Sequence, residues 1–460
     1  MTDSTITLPA ARIPVIGEYD VVVVGGGPAG LFAATAAARA GRSVVLLERY
    51  GFLGGAGTMG GLSTFCGLHA RVHGVDMRVI RGITDDLLDR LIALDGLNDP
   101  HLSVDDRIMA QAFDISAYKI AADDLLVSAG AEVLFHTSAV DTVLADDGTI
   151  DAVVIESKSG RQAVRGSVFI DGSGDADIAA FAGAPFERSE HLLYPSLMFR
   201  INGVDHEKAG PAWRTIRRLM EDAEAAGTHR FPRKKPIVRP QRNPLEWRSN
   251  LTQLSNDDGS AVDGTDVRQL SHGELQGRRQ VRDTFAFIRE RTPGFEESYV
   301  VDIAPQIGIR ETRRIRGRYM LTEQDVLGCA DFPDAIGVNG WPVEAHVAGD
   351  VEFRFAPADS RGFNQLPYRM LVPQVVPNLL VVGRCASMTQ GGQSSGRVTG
   401  PCFAMGQAAG TAAALALGAG VAVGDVDVTA LQARLIADGA YLGTEEPTAE
   451  MVVPTPVSAR

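Results

Sequence analysis

Residues 18–49 read EYDVVVVGGGPAGLFAATAAARAGRSVVLLER. Val21 to Val24 form an unbroken β-branched run, the composition of a strand buried on both faces. Gly25, Gly27 and Gly30 follow at G-x-G-x-x-G spacing. Leu31 to Ala40 then reads as a helix of small residues stopped by Gly41, and Ser43 to Leu47 as a second buried strand ending at Glu48. Each position has a physical task. Gly25 permits a sharp turn from strand to helix, Gly27 leaves room for a pyrophosphate, and Gly30 with the alanines after it lets the helix lie close on the sheet. The helix N-terminus offers free N–H groups and a partial positive charge to phosphate oxygens. Glu48 stands about 20 residues beyond the glycines, where a carboxylate accepts from ribose hydroxyls. Strand, helix, second strand and terminal acid agree, so the stretch predicts a βαβ unit that holds a dinucleotide.

A chain of 460 residues accommodates two domains. Hydrophobic residues make up 45%, as in ordinary globular proteins, and the formal net charge of −13 argues against nucleic acid or an anionic membrane as partner. The four cysteines, Cys66, Cys329, Cys385 and Cys402, form no C-x-x-C pair, so neither zinc nor an iron–sulfur cluster is signalled and no metal is expected. The N-terminal stretch has no basic region followed by an apolar one, and the expectation is a reducing, cytoplasmic setting. Phe403 to Gly424 is uncharged, but it consists mostly of Ala and Gly, which predicts a tightly packed interior helix rather than a membrane span.

Outward from the opening unit, residues 1–17 read as an irregular lead-in and residues 51–74 as a glycine-rich run in which backbone approaches a ligand closely. Helices are expected over 82–95 and 113–130. Strands are expected at Glu132–His136, Ser138–Leu144, Ile150–Ser157 and Val164–Ile170, with a turn at Asp146-Asp147-Gly148. A second strand–glycine–helix junction, Asp171 to Gly174, is placed near the first. Residues 186–360 hold all three tryptophans and more proline and arginine. The basic cluster over 214–248, with Arg233, Lys234, Lys235, Arg239 and Arg242, reads as a solvated face, the sharper alternative being a funnel for an anionic substrate. Residues 255–275 read as a mobile polar loop. The chain then returns with a short strand at Leu379–Val382, a glycine-rich loop over 391–401 and a helix over 402–417 with Pro401 at its start. The expected organisation is a discontinuous nucleotide domain (1–185 and 361–445), an inserted substrate domain (186–360) and a C-terminal tail (446–460).

GGGPAG with the Glu48 end resembles the FAD-binding proteins of the glutathione-reductase-like fold. ERYGFLGGAGT, DGSGDADIAAFAGA, GIRETRRIRGRYMLTEQDVLG, LLVVGRCAS and GPCFAMGQAAGTAAALAL narrow the resemblance to the FAD-dependent oxidoreductase family, related to the flavoproteins of fumarate reductase and heterodisulfide reductase. The resemblance covers nearly the whole chain. It implies an α/β fold, with a Rossmann-like FAD-binding domain of glutathione-reductase type and an inserted α+β substrate domain, and FAD as cofactor. By motif, Gly25, Gly27, Pro28, Ala29, Gly30 and Glu48 would hold the ADP half. Arg49, Gly54, Gly55 and Thr58 would approach ribose, pyrophosphate and flavin, with Asp171 and Gly174 on the adenosine side. Gly383 would approach the ribityl chain, and Arg397, Gly400 and Cys402 would lie along the flavin ring. The helix that begins there would stabilise negative charge on the reduced flavin. Two departures stand out: a Gly383-Arg384 pair replaces the common Gly-Asp, and MTQGGQSSGRV carries no histidine where many relatives do.

Hydride removal from an alcohol or amine needs a base beside the substrate. His346 in GWPVEAHVAGD is the first choice, with His69 in the glycine-rich stretch as the second. The resemblance also raises covalent attachment of the flavin through His69 or His73, as the less favoured reading. Arg310 is a candidate for binding a substrate carboxylate or phosphate bidentately, and Tyr368 for bordering the pocket. The expected function is hydride transfer between a small polar organic substrate (alcohol, sugar, hydroxy acid or amine) and flavin N5, with reoxidation by oxygen or an external acceptor. The alternatives are a flavin-dependent monooxygenase and a non-redox flavin-binding protein. The expected partners are the substrate and the acceptor, with no nucleic acid and no membrane, and self-association into a homo-oligomer is allowed.

Overall fold

The computed structural model describes residues 5–454 apart from residues 8, 105 and 244. Residues 1–4 and 8 of the expected lead-in, and 455–460 of the expected tail, lie outside the described residues. The main sheet has seven strands. Val15–Val24 lies at its centre, parallel to Val44–Leu47 on one side and to residues Ala163 to Asp171 of strand Gly160–Asp171 on the other. Glu132–Leu134 extends the parallel part beyond Val44–Leu47, and the returning strand Leu379–Val381 runs parallel to Phe169–Asp171. Ser138–Leu144 and Ile150–Ser157 add antiparallel strands at the far edge. Val21, Val22 and Val23 have no solvent exposure, as a strand covered on both faces requires.

Helix Pro28–Arg39 covers one face and crosses the long helix Thr399–Ala419. The crossing is close because both helices are built of Ala and Gly. A Cβ on Gly406 would sit 2.1 Å from the Ala29 carbonyl, and one on Gly410 would sit 2.1 Å from that of Ala33. Phe32 and Phe403 stack at 4.0 Å beside this contact. Thr399–Ala419 is long and apolar enough to cross a membrane by length and composition, and most of it is buried in this packing. Overpacking a filled core costs about 1–3 kcal/mol and more against backbone. Gly410→Leu is therefore expected to lower the unfolding free energy by about 3 kcal/mol, read as a shifted denaturation midpoint; an unchanged midpoint would show that the two helices separate freely.

Four antiparallel strands, in the order Ile237–Pro240, Trp247–Asn250, Phe199–Asn202 and Tyr299–Ile303, form a second sheet with its own core. That core draws on residues between Leu197 and Ile307, a narrower span than 186–360. Ile336, Val338 and Val343 pack instead into the core of the nucleotide unit, and Trp341 belongs to neither of these two cores.

Two expectations are corrected. Residues 267–275 are the first turns of helix Val267–Arg291, capped by the Asp266 carboxylate, rather than loop. Its contact face uses Gly273 and Gly277 against Ile307 and Leu197, so an apolar stripe is missing where the helix begins. Within the expected loop 391–401, residues 391–396 belong to a short helix, Gln390–Gly396, whose N-cap Thr389 accepts from Gly392 N.

Candidate active site and dinucleotide cleft

The strand-to-helix turn at Gly25 has φ +93°, and a Cβ there would lie 2.5 Å from the Gly172 carbonyl. The two glycine junctions therefore stand back to back at the C-terminal ends of neighbouring strands, the place where open α/β sheets bind ligands. Gly27 differs in kind. Its φ of −70° and ψ of −178° suit any residue, and an added Cβ would meet only Gly55 Cα at 3.9 Å. Gly27 leaves open the space between the helix N-terminus, which no side chain caps, and the Gly54–Gly55 turn. That open cradle fits the pyrophosphate of a dinucleotide. Glu48 forms the neighbouring wall. Its Oε2 accepts from Gly26 N at 2.7 Å and its Oε1 from Tyr50 N at 2.9 Å, while burial pushes its carboxyl up.

One cavity of about 430 Å³ runs from this cradle to the second sheet. Of the residues expected at the cofactor, Gly25, Gly27, Pro28, Ala29, Glu48, Arg49, Gly55, Gly174, Gly383, Arg397 and Cys402 line it. The other five do not. Gly30 packs the helix on the strand, where a Cβ would lie 1.9 Å from the Gly25 carbonyl. Gly54 shapes the turn at φ +101° and donates its N–H to Gly26 O at 2.9 Å. Thr58 Oγ1 donates to Leu53 O at 2.6 Å. Asp171 is fully buried and accepts from Ser173 N and Oγ and from Ala179 N, which fixes the second junction. Gly400 lets the long helix start against Gly67, a Cβ there lying 2.1 Å from Gly67 O. In the Gly383-Arg384 pair, Arg384 donates to Asp175 Oδ1 at 2.7 Å. The carboxylate at this point thus comes from the second junction, far in sequence from the Gly383-Arg384 pair.

At its far end, beside the second sheet, the cavity forms a chamber lined by Trp341, Glu344, His346 and Arg310. Hairpin Val343–Val347 and Asp350–Arg354 brings Glu344 and His346 to one strand face, two residues apart. His346 Nε2 lies 3.1 Å from Glu344 Oε1, and Trp341 Nε1 donates to Glu344 Oε2 at 2.9 Å. Burial alone would raise the Glu344 carboxyl, but the His346 bond, the Arg397 charge and the Trp341 bond hold it well below the usual carboxylate range. Burial, reinforced by the Arg310 charge, pushes His346 well below its ordinary value. The pair is therefore an ionised carboxylate and a neutral imidazole. An ionised carboxylate only accepts, so Nε2 carries the proton and Nδ1 keeps the lone pair. Arg310 donates to Tyr194 O at 2.5 Å and Ser196 Oγ at 2.7 Å. Arg248 and Asn250, alternate residues of strand Trp247–Asn250, line the same chamber.

Two of the expected catalytic residues stand elsewhere. Tyr368 is buried and its hydroxyl donates to Val423 O at 2.6 Å, because residues 364–371 pack under the long helix rather than border the pocket. His69 lines a separate, smaller cavity of about 140 Å³ beyond Trp341. Neither of its ring nitrogens has a partner, and burial pushes it down to about 4. His73 is exposed, with Nδ1 at Asp359 O, so neither histidine lines the dinucleotide cleft. Cys402 sits in the first turn of a helix, yet burial pushes its thiol up to about 12, which keeps it neutral. The basic cluster is corrected as well, since Arg233 is buried rather than solvated.

His69 carries a pH prediction. Its folded value lies below the ordinary 6.5, so the unfolded state takes up a proton first as pH falls. Stability from this group is complete above about 6.5 and is lost toward 4 at up to about 1.4 kcal/mol per pH unit. Urea titrations of wild type and His69→Leu between these limits are expected to show the variant gaining on wild type at that slope as pH falls; parallel profiles would refute a neutral buried imidazole.

A family model described as FAD dependent oxidoreductase matches residues 20–435. No curated protein matches the chain. Among solved structures it is similar to a geranylgeranyl bacteriochlorophyll reductase-like protein from Thermoplasma acidophilum, at 13% identity over 92% of this chain and 84% of that one, TM-score 0.48. It is similar to p-nitrophenol 4-monooxygenase PnpA from Pseudomonas putida DLL-E4, at 13% identity over 94% and 90%, TM-score 0.47. It is also similar to OxyS anhydrotetracycline hydroxylase from Streptomyces rimosus, at 14% identity over 66% and 54%, TM-score 0.37. At these TM-scores none of the three assigns a reaction to the chain.

Proposed function

Because the chain belongs to the FAD dependent oxidoreductase family, we propose that it oxidises a small polar organic substrate by delivering a hydride to FAD held in the cleft between Gly27 and the chamber. The observation that carries this reading is the Glu344–His346 pair at the cavity's inner end. FAD, when bound, supplies the two-electron acceptor. His346 Nδ1 takes the proton of the substrate hydroxyl or amine, and Glu344 fixes the tautomer and stabilises the imidazolium that results. Arg310 orients the substrate. Gly27, Gly55 and the uncapped helix N-terminus would hold the pyrophosphate, and Glu48 would hold the adenosine ribose. Arg397, in the turn before the long helix, lines the cavity and would supply positive charge to offset that of the reduced cofactor. The sheet order supports the glutathione-reductase type of arrangement.

A monooxygenase would instead draw electrons from an external nicotinamide and place oxygen from O₂ in the product. Turnover with an artificial acceptor, without nicotinamide and under argon, separates the two. The proposal expects sustained turnover; turnover only with reduced nicotinamide and oxygen, with labelled oxygen in the product, would replace it.

A further inference from the structure

The chamber carries more positive charge than its own carboxylate answers. Arg248, Arg310 and Arg397 line it, and Arg233 stands behind Asn250, its Nη1 2.7 Å from Asn250 Oδ1. Among the described residues, the hydrogen-bond acceptors of these four guanidinium groups are all neutral. Arg248 donates to Leu62 O, Arg310 to Tyr194 O and Ser196 Oγ, Arg397 to Glu344 O, and Arg233 to Lys235 O and Asn250 Oδ1. Among the described residues the one carboxylate at this end of the cavity is Glu344, already engaged by His346 and Trp341. Among the described residues, Arg248 Nε and Arg397 Nε are buried without a partner. Buried cations with unmet donors are costly, and the cost is removed when an anion supplies the missing acceptors.

The sheet register sharpens the point. Arg239, Arg248 and Arg200 stand opposite one another on three adjacent strands. Like charges in register oppose strand pairing. Arg200 is answered by Glu246 and Asp302, and Arg239 lies over the Trp213 ring at 4.6 Å. Arg248, the middle member and the one that lines the cavity, has no carboxylate partner among the described residues. Burial pushes Arg233 and Arg310 below the usual guanidinium range; the charges of Arg233 and Arg397 add to this at Arg310, while Glu344 and Asp350 oppose it at Arg233. Three arginines on the wall against one carboxylate leave two positive charges unanswered.

We propose that the substrate is a small organic acid with two carboxylates, one docked on Arg248 and Asn250 and the other on Arg310. The proposal rests on the oxidoreductase reading for the word substrate, while the docking itself requires only the chamber.

Calorimetric titration of the FAD-loaded protein at neutral pH reads binding without turnover, so it stands apart from the redox assay. The probes are succinate and glutarate, the monocarboxylate butyrate and the neutral succinamide. A second charge-assisted contact predicts that the better dicarboxylate binds at least about tenfold tighter than butyrate, with succinamide weaker still. Arg248→Met is expected to weaken the dicarboxylate by about tenfold or more at unchanged FAD content, and Arg248→Lys to restore part of the loss. Butyrate or succinamide binding as tightly as both dicarboxylates would overturn the proposal. An Arg248→Met protein that retains wild-type affinity would overturn the docking on Arg248. If Arg248→Met does not fold, the ranking on the unaltered protein decides.

Discussion

Gly27→Leu is expected to purify folded and nearly free of FAD. The backbone at residue 27 has ordinary angles, and its Cβ position is open, so the substitution strains nothing in the protein itself. The leucine side chain instead fills the cradle at the helix N-terminus. Losing two charge-assisted bonds to the pyrophosphate, at about 1.5–3 kcal/mol each, weakens FAD by about a hundredfold or more. Flavin content per chain and the melting temperature of the FAD-free proteins check this together, with content collapsing and the FAD-free melting temperature unchanged. Gly30→Ala is the contrasting variant. Its Cβ lands 1.9 Å from the Gly25 carbonyl, so it is expected to damage the fold as well as the site. If Gly27→Leu retained full FAD, the cradle would not be the pyrophosphate seat.

His346→Ala is expected to slow reduction of bound flavin by substrate about 10²–10⁴-fold, the usual span for a positioned general base. Flavin content should hold, since His346 lies at the chamber end of the cavity, away from the glycine junctions. The pH profile separates a base from a structural residue. In the wild type the reductive rate should stay flat from neutral pH down through the ordinary histidine range, because burial and Arg310 keep His346 neutral there. A rate that falls with an ordinary histidine value near 6.5 would contradict the neutral, buried pair. A His346→Ala protein reduced at the wild-type rate would remove His346 as the base.

The nucleotide half was legible in the chain because glycine and β-branched residues there serve backbone tasks that few alternatives meet. Val21–Val24, the Gly25–Gly30 spacing and the second junction at Asp171–Gly174 all stand where their chemistry requires. Helix Val267–Arg291 was hidden because it packs through Gly273 and Gly277, which leave no hydrophobic period at its start. Gln390–Gly396 was hidden because Gly and Ser disfavour a helix, and contact overrides propensity where Gly392 lies against the Leu321 carbonyl. Position within a motif also proved different from contact. Asp171 and Thr58 sit in the right stretches but turn inward to hold the loops that line the cleft.

The chamber was the least legible part. Arg233 belongs to a basic run that reads as a solvated face, and only the register of the second sheet shows Arg248 facing the cavity between Arg239 and Arg200. Glu344 was overlooked beside His346, although alternation along a strand places residues two apart on one face. That pairing is long-range in effect: it matters only because Arg310 and Arg397 arrive from other segments to complete the wall.

The most direct test of the account is anaerobic mixing of the FAD-loaded protein with organic acids bearing an oxidisable hydroxyl or amine, followed by the flavin absorbance. The account predicts that at least one dicarboxylic member bleaches the flavin without any nicotinamide present. A flavin that stays oxidised with every such acid, and bleaches only when reduced nicotinamide is added, would contradict it.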